Sequence, residues 1–183
     1  MYNIVPFSED LDLTEFYAKA LARGYKNNSS KYWIKDCFRN EQSSQTWILY
    51  YNETPVGSVV AHTFPEMGPN SYRIAARTCV LTEDIPTPSL RTRNQIITHQ
   101  HATAQFLIPA CIEWAGKEND LYITSNNLES GSQRLVHNIY FPSMAKSGQV
   151  TNICELDYRG SIQTVWKLHV DRFYEELNKH PRW

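Results

Sequence analysis

WILYYNETPVGSVVAHTF, residues 47–64, reads as two strands and a turn. Trp47 to Tyr51 and Val56 to Phe64 are rich in β-branched and aromatic residues, and Asn52-Glu53-Thr54-Pro55 between them predicts a hairpin loop of about four residues. A third run, Tyr72 to Leu81, follows the Pro/Gly loop Pro65 to Asn70. Its alternation predicts Tyr72, Ile74, Ala76, Thr78 and Val80 on one face, with Arg73, Arg77 and Leu81 on the other. Three strands in succession therefore meander through the middle of the chain.

On the N-terminal side, Tyr2 to Val5 is a short strand that Pro6 should stop. Ser8 to Asp12 offers capping side chains and first-turn acids. Leu13, Phe16, Tyr17, Ala20 and Leu21 then follow helical spacing, with Gly24 where the residue after a helix belongs. A second helix is expected from Ser30, with Trp33, Ile34, Cys37 and Phe38 on one face.

On the C-terminal side, Ile97, Ala104, Leu107 or Ile108, Cys111 and Trp114 make the longest helical pattern, and Pro109 within it predicts a kink. Leu121 to Thr124 is a short buried-type strand. A further helix is expected from Ser132, carrying Leu135, Val136, Ile139 and Tyr140, disturbed near its end by Pro142 and stopped at Gly148. Val150 to Leu156 and Ile162 to Val170 form a last hairpin around Asp157 to Gly160, and Val170, Phe173, Tyr174 and Leu177 mark one more helical face. The order β-α-α-β-β-β-α-β-α-β-β predicts an α+β fold with a mixed central sheet flanked by helices.

At 183 residues the chain is sized for a single domain, 1–183, with enough core to fold without disulfides or metal. Eighteen Lys and Arg against 19 Asp and Glu give a net charge of −1, which argues against a nucleic-acid partner. Aromatic residues make up 13%, too many for a disordered chain. Cys37, Cys79, Cys111 and Cys154 are far apart with no C-x-x-C pair, so they read as buried reduced thiols rather than a zinc or redox site. The first residues, MYNIVPFSEDLD, have no basic or long apolar segment, and no stretch approaches the ~20 apolar residues of a membrane span. The expectation is a cytoplasmic protein with no membrane partner.

Several segments, taken with the element order, resemble the Gcn5-related N-acetyltransferase (GNAT) superfamily. IVPFSEDLDLTEFYAKA is similar to its opening strand and acid-rich first helix, and WILYYNETPVGSVVAHTF to its second hairpin, with the Val56-Gly57 pair after a polar turn. YRIAARTCVL stands at its fourth strand, LYITSNN at its fifth, and MAKSGQV at the close of its fourth helix. The resemblance spans nearly the whole chain. It implies acetyl-CoA as co-substrate, no metal, a small-molecule or peptide amine as acceptor, and acyl transfer by direct attack.

In that family the fourth and fifth strands splay apart around the coenzyme's pantetheine arm. The resemblance thus assigns coenzyme contacts to Val80 and Leu81 on one strand and to Asn126 at the end of the other. The pyrophosphate sits on the loop that opens the third helix, because unpaired N–H groups there suit an anion. The matching segment is Arg91-Thr92-Arg93-Asn94-Gln95-Ile96. Arg91 fits the family's first position, whereas Asn94 and Ile96 occupy positions where the family has glycine or alanine. Arg91 and Arg93 would supply side-chain charge, and Asn94 tolerates the left-handed backbone that glycine would adopt.

The family's usual general acid is a tyrosine in the fourth helix. Met144 aligns there, and Tyr140, one turn earlier, is the nearby phenol. Candidate bases are Glu83 and Asp84 in the loop after the fourth strand, Glu66 in the loop after the third, and His62 in a strand. His99-x-His101 looks like a metal pair, but residues two apart on a helix point in opposed directions. Arg73 and Arg77 on one strand face would either pair with acids or meet an anionic substrate. Two other functions fit the same residues: a non-catalytic GNAT-fold binding protein with a degenerate coenzyme site, favoured by Ile96 and Met144, and an acyl-homoserine-lactone-synthase-like enzyme. The closing helix could also be a homodimer contact.

Overall fold

The computed structural model describes residues 1–23, 44–85, 101–127, 136–158 and 160–179. Among the described residues seven strands are ordered β1-β2-β3-β4-β5-β7-β6 in a mixed sheet. They are β1 (Tyr2–Pro6), β2 (Ser44–Tyr51), β3 (Thr54–Thr63), β4 (Ser71–Val80), β5 (Asp120–Ser125), β6 (Val150–Tyr158) and β7 (Ser161–Leu168). Among the described residues there are four α-helices: α1 (Thr14–Ala22), α2 (Ile108–Ala115), α3 (Phe141–Lys146) and α4 (Val170–Lys179). The expected α+β order is found. The helix expected from Ser30 lies outside the described residues, as does Gly24.

The chain divides into two compact units. The first, Met1–His62 with Ala75–Trp114, holds the β1-β2-β3 meander, the second half of β4, α1 and most of α2. Its core gathers Phe16 and Ala20 of α1 against Ile48, Val60, Ala76, Cys79 and Leu81. The second, Thr63–Ile74 with Ala115–Trp183, holds the first half of β4 and β5, β7, β6, α3 and α4. Phe64, Tyr122 and Val165 form a core cluster there, with Met67, Cys154 and Leu156 packed on it.

The turns are tighter than the sequence suggested. Tyr51 pairs with Thr54, so the first hairpin turns on Asn52-Glu53 alone, with Asn52 left-handed at φ 55. Pro55 lies opposite Tyr50, inside the strand. One residue, Val56, is extra between the Leu49↔Gly57 and Tyr50↔Pro55 pairs, and its carbonyl accepts the Leu81 N–H at 2.7 Å. Gly57 follows because a Cβ there would sit 3.1 Å from the Cys79 carbonyl. Pro6 does not stop β1 either. It is the strand's last residue, opposite Trp47, on an edge where its missing N–H leaves no ladder bond unmade.

Both helices that were expected to be disturbed by proline contain a π turn instead. Thr103–Leu107 is π-helical, with the Ile108 N–H reaching back five residues to the Thr103 carbonyl, and Pro109 follows as the second residue of α2. Val136–Tyr140 repeats the arrangement, with Pro142 second in α3. A proline cannot donate to the carbonyl four residues back, and its ring crowds that carbonyl. A widened turn just before it makes room for both effects. Pro142 therefore opens an α segment, where a missing N–H costs little, rather than disturbing a helix end.

Candidate functional site

β4 is where the regular pattern fails. Ala75 (φ 50) and Arg77 (φ 52) are left-handed within a strand, a conformation that costs L-residues energy and is rare outside Gly and Asn. The consequence is a change of phase. Ile74 and Ala76 are buried, but the next buried residues are Cys79 and Val80, and Cys79 and Leu81 join the cluster of Ala76. Thr78 thus leaves the face that simple alternation assigned to it. Of the two arginines expected on one face of this strand, Arg73 belongs to the second unit and donates from Nε to Thr124 Oγ1 at 2.8 Å, and Arg77 belongs to the first.

The break is held by neighbours. Thr78 Oγ1 donates to the Ala75 carbonyl at 2.7 Å, and the Ala75 N–H donates to the sulfur of Cys111 in α2. Burial pushes the Cys111 thiol up to about 12, so it is a protonated core group. The ladder of β4 with β5 is parallel and runs from Ser71↔Asp120 to Arg73↔Tyr122, ending just before the break.

Past the break, Val80 and Leu81 are buried, and the Leu81 N–H is taken by Val56. The chain then makes a 3₁₀ turn, Thr82–Asp84. Glu83 is exposed and ion-paired with Arg23, while Asp84 receives two bonds from Lys19 Nζ, at 3.0 and 3.1 Å. These carboxylates tie the turn to α1. Glu66 is exposed in the turn Pro65–Met67, and His62 is half-buried in β3, opposite Ser44. His101 lies near Tyr2 and Phe106, tilted against the first and edge to face with the second, each with centroids 5.9 Å away, and burial pulls its pKa down. Arg91, Arg93, Asn94, Ile96 and His99 lie outside the described residues. Among the described residues no three His, Cys, Asp or Glu converge to hold a metal, and no helix is long and apolar enough to cross a membrane.

In the second unit a polar group gathers at the end of β5. Ser125 is 5% exposed, accepts the indole N–H of Trp166 at 2.9 Å, and lies 2.9 Å from Nδ1 of His137. Trp166 is fixed by stacking on Phe141, at 5.5 Å and 18°. Asn126 donates from Nδ2 to Ser161 Oγ at 3.3 Å, and its Oδ1 is buried without a hydrogen-bond partner. Tyr140 ends the π turn, half-buried, and burial raises its phenol pKa, which keeps it protonated at neutral pH. Met144 lies one turn on in α3. Sequence reasoning missed His137. Twelve positions separate it from Ser125, and only the fold brings them into contact.

No protein-family model matches the chain, and no curated protein matches it in sequence. Its structure is similar to solved ones. A candidate acetyltransferase of the GNAT family from Desulfovibrio desulfuricans is 9% identical, covers 93% of this chain and 99% of its own, and has a TM-score of 0.58. The ribosomal-protein-S18-alanine N-acetyltransferase of Escherichia coli is 12% identical over 92% of this chain and 93% of its own, at a TM-score of 0.56. A Bacillus subtilis acetyltransferase solved with CoA is 10% identical over 92% and 98%, at 0.52. The similarity runs almost end to end in each pair, and the fold of this chain is that of the Gcn5-related N-acetyltransferase superfamily.

Proposed function

We propose that the chain is an acyl-CoA-dependent N-acyltransferase, moving an acetyl group from acetyl-CoA to the amine of a small molecule or peptide by direct attack. The observation that carries this is the break in β4. Two left-handed non-glycine residues in one strand are strained, and such strain concentrates at sites of function. In the superfamily this strand meets the coenzyme arm, and the Bacillus subtilis relative in fold was solved with CoA. Arg91 and Arg93 would pair with the pyrophosphate. Tyr140, protonated at neutral pH, has the state required of an acid that returns a proton to the leaving thiolate. A cytoplasmic location goes with this reading.

A second reading, a binding protein that kept the fold and lost the coenzyme, is favoured by Ile96 and Asn94 at the phosphate loop's glycine positions. Thermal unfolding with excess acetyl-CoA, beside free CoA and ADP, separates the two. At 100 times its dissociation constant the ligand adds about 2.7 kcal/mol, a rise of roughly 5–10 °C in Tm for a chain this size. That rise, lost in Arg91→Ala with Arg93→Ala, is the expected result. No rise at saturating coenzyme would leave the binding-protein reading standing.

A further inference from the structure

The Trp166–Ser125–His137 contact has a direction. An indole nitrogen only donates, so Trp166 Nε1 gives its proton to Ser125 Oγ. Oγ keeps a second lone pair and its own proton, and that buried proton is satisfied when it goes to Nδ1 of His137, at 2.9 Å, the direction taken here. An imidazole accepting at Nδ1 carries its proton on Nε2. Three groups therefore donate in one sense, a polarised chain whose last member is an N–H.

The anchor of this chain is rigid. Ser125 is buried at the end of β5, and Trp166 is buried at 6% exposure and stacked on Phe141. The terminus is not buried. His137 is partly exposed, in the π turn Val136–Tyr140 ahead of Pro142.

We infer that His137 is a substrate-binding donor, presenting Nε2–H to an sp² oxygen of a ligand, and that Ser125 and Trp166 are its positioning residues. The ligand oxygen is a thioester carbonyl or an acceptor's carboxylate. Only the first of these rests on the acyltransferase reading. A general base at His137 would need the opposite tautomer at the atom that meets the substrate, so the two roles are distinguishable.

The test is long-range ¹H–¹⁵N NMR of the full chain labelled in histidine, at a pH where imidazoles are neutral. His137, assigned by loss of its signals in His137→Gln, should show protonated Nε2 and bare Nδ1. Ser125→Ala should lose that preference, whereas Ser125→Thr, which keeps the hydroxyl and the Trp166 bond, should retain it and controls for folding. Acetyl-CoA and sodium acetate are then titrated separately, with CoA as the blank. A shift of the Nε2 signal with acetyl-CoA but not CoA identifies the carbonyl, and a shift with acetate identifies a carboxylate. An Nδ1-protonated ring, or an Nε2 signal unmoved by both, overturns the proposal. A response to acetate in a protein whose Tm ignores acetyl-CoA would end the acyltransferase reading and keep the donor.

Discussion

Ala75 looks like an ordinary strand residue in the run Tyr72 to Leu81, yet it has a φ of 50. β-propensity alone says that Ala75→Val should help a strand. A β-branched side chain at positive φ clashes with its own backbone, so the substitution is expected to cost about 1–2 kcal/mol, read as a lower denaturant midpoint at constant m. A stabilised variant would mean that the break is not there. His101 makes a second prediction at this scale. Burial beside Tyr2 and Phe106 depresses its folded pKa below the ordinary 6.5, so the unfolded chain takes up a proton first as pH falls. Its contribution is whole above pH 6.5 and is lost below it, down to the folded pKa. His101→Phe should flatten that stretch of the stability–pH curve, and an unchanged curve would remove His101 as its cause.

Elements divide by what periodicity can carry. The strands, their order and α1 were legible because alternation and 3.6 spacing report which face is buried, and burial is what forms them. Two features break that link. A left-handed residue shifts the phase of a strand without altering its composition, so Thr78 and Cys79 exchanged faces unseen. A π turn inserts itself into a helical pattern that looks continuous, and prolines 109 and 142 gave only half the signal. They marked where the helices would be irregular and not that the turn before each would widen. The candidate site was less legible still. Ser125 stands within LYITSNN at the end of the fifth strand, where the resemblance implies contact with the thioester, but nothing in the sequence singles out His137, since their contact is tertiary. The π-turn account has a direct check. A proline within a regular helix costs about 3 kcal/mol, so Pro109→Ala in such a helix should stabilise by that order. Here the widened turn has already accommodated the ring, and a gain below about 1 kcal/mol is expected. A gain near 3 kcal/mol would show that the turn does not relieve Pro109.

At the scale of the whole molecule, neither compact unit is a continuous piece of chain. Thr63–Ile74 of the second is inserted between the two segments of the first, and β4 leaves one unit and enters the other between Ile74 and Ala75. This crossing, one of three with His62–Thr63 and Trp114–Ala115, falls beside the left-handed Ala75, so one strand carries both a structural break and a passage between units. Loss of the insertion would leave the first unit to close a short loop, a modest entropic cost that does not by itself unfold it. β4 is one strand shared by both units, and its two halves are expected to melt together. A single cooperative transition is therefore expected, in keeping with a domain of 1–183. The tryptophans make this measurable. Trp47 and Trp114 meet edge to face at 6.2 Å in the first unit, and Trp166 stacks on Phe141 in the second. With Trp33 and Trp183 replaced by Phe, one variant keeps Trp47 and Trp114 and another keeps Trp166 alone. Each variant's fluorescence midpoint in urea should coincide with its own far-UV circular dichroism midpoint. A Trp166 signal that melts ahead of the circular dichroism would instead make the Ile74–Ala75 junction a boundary between independently unfolding units.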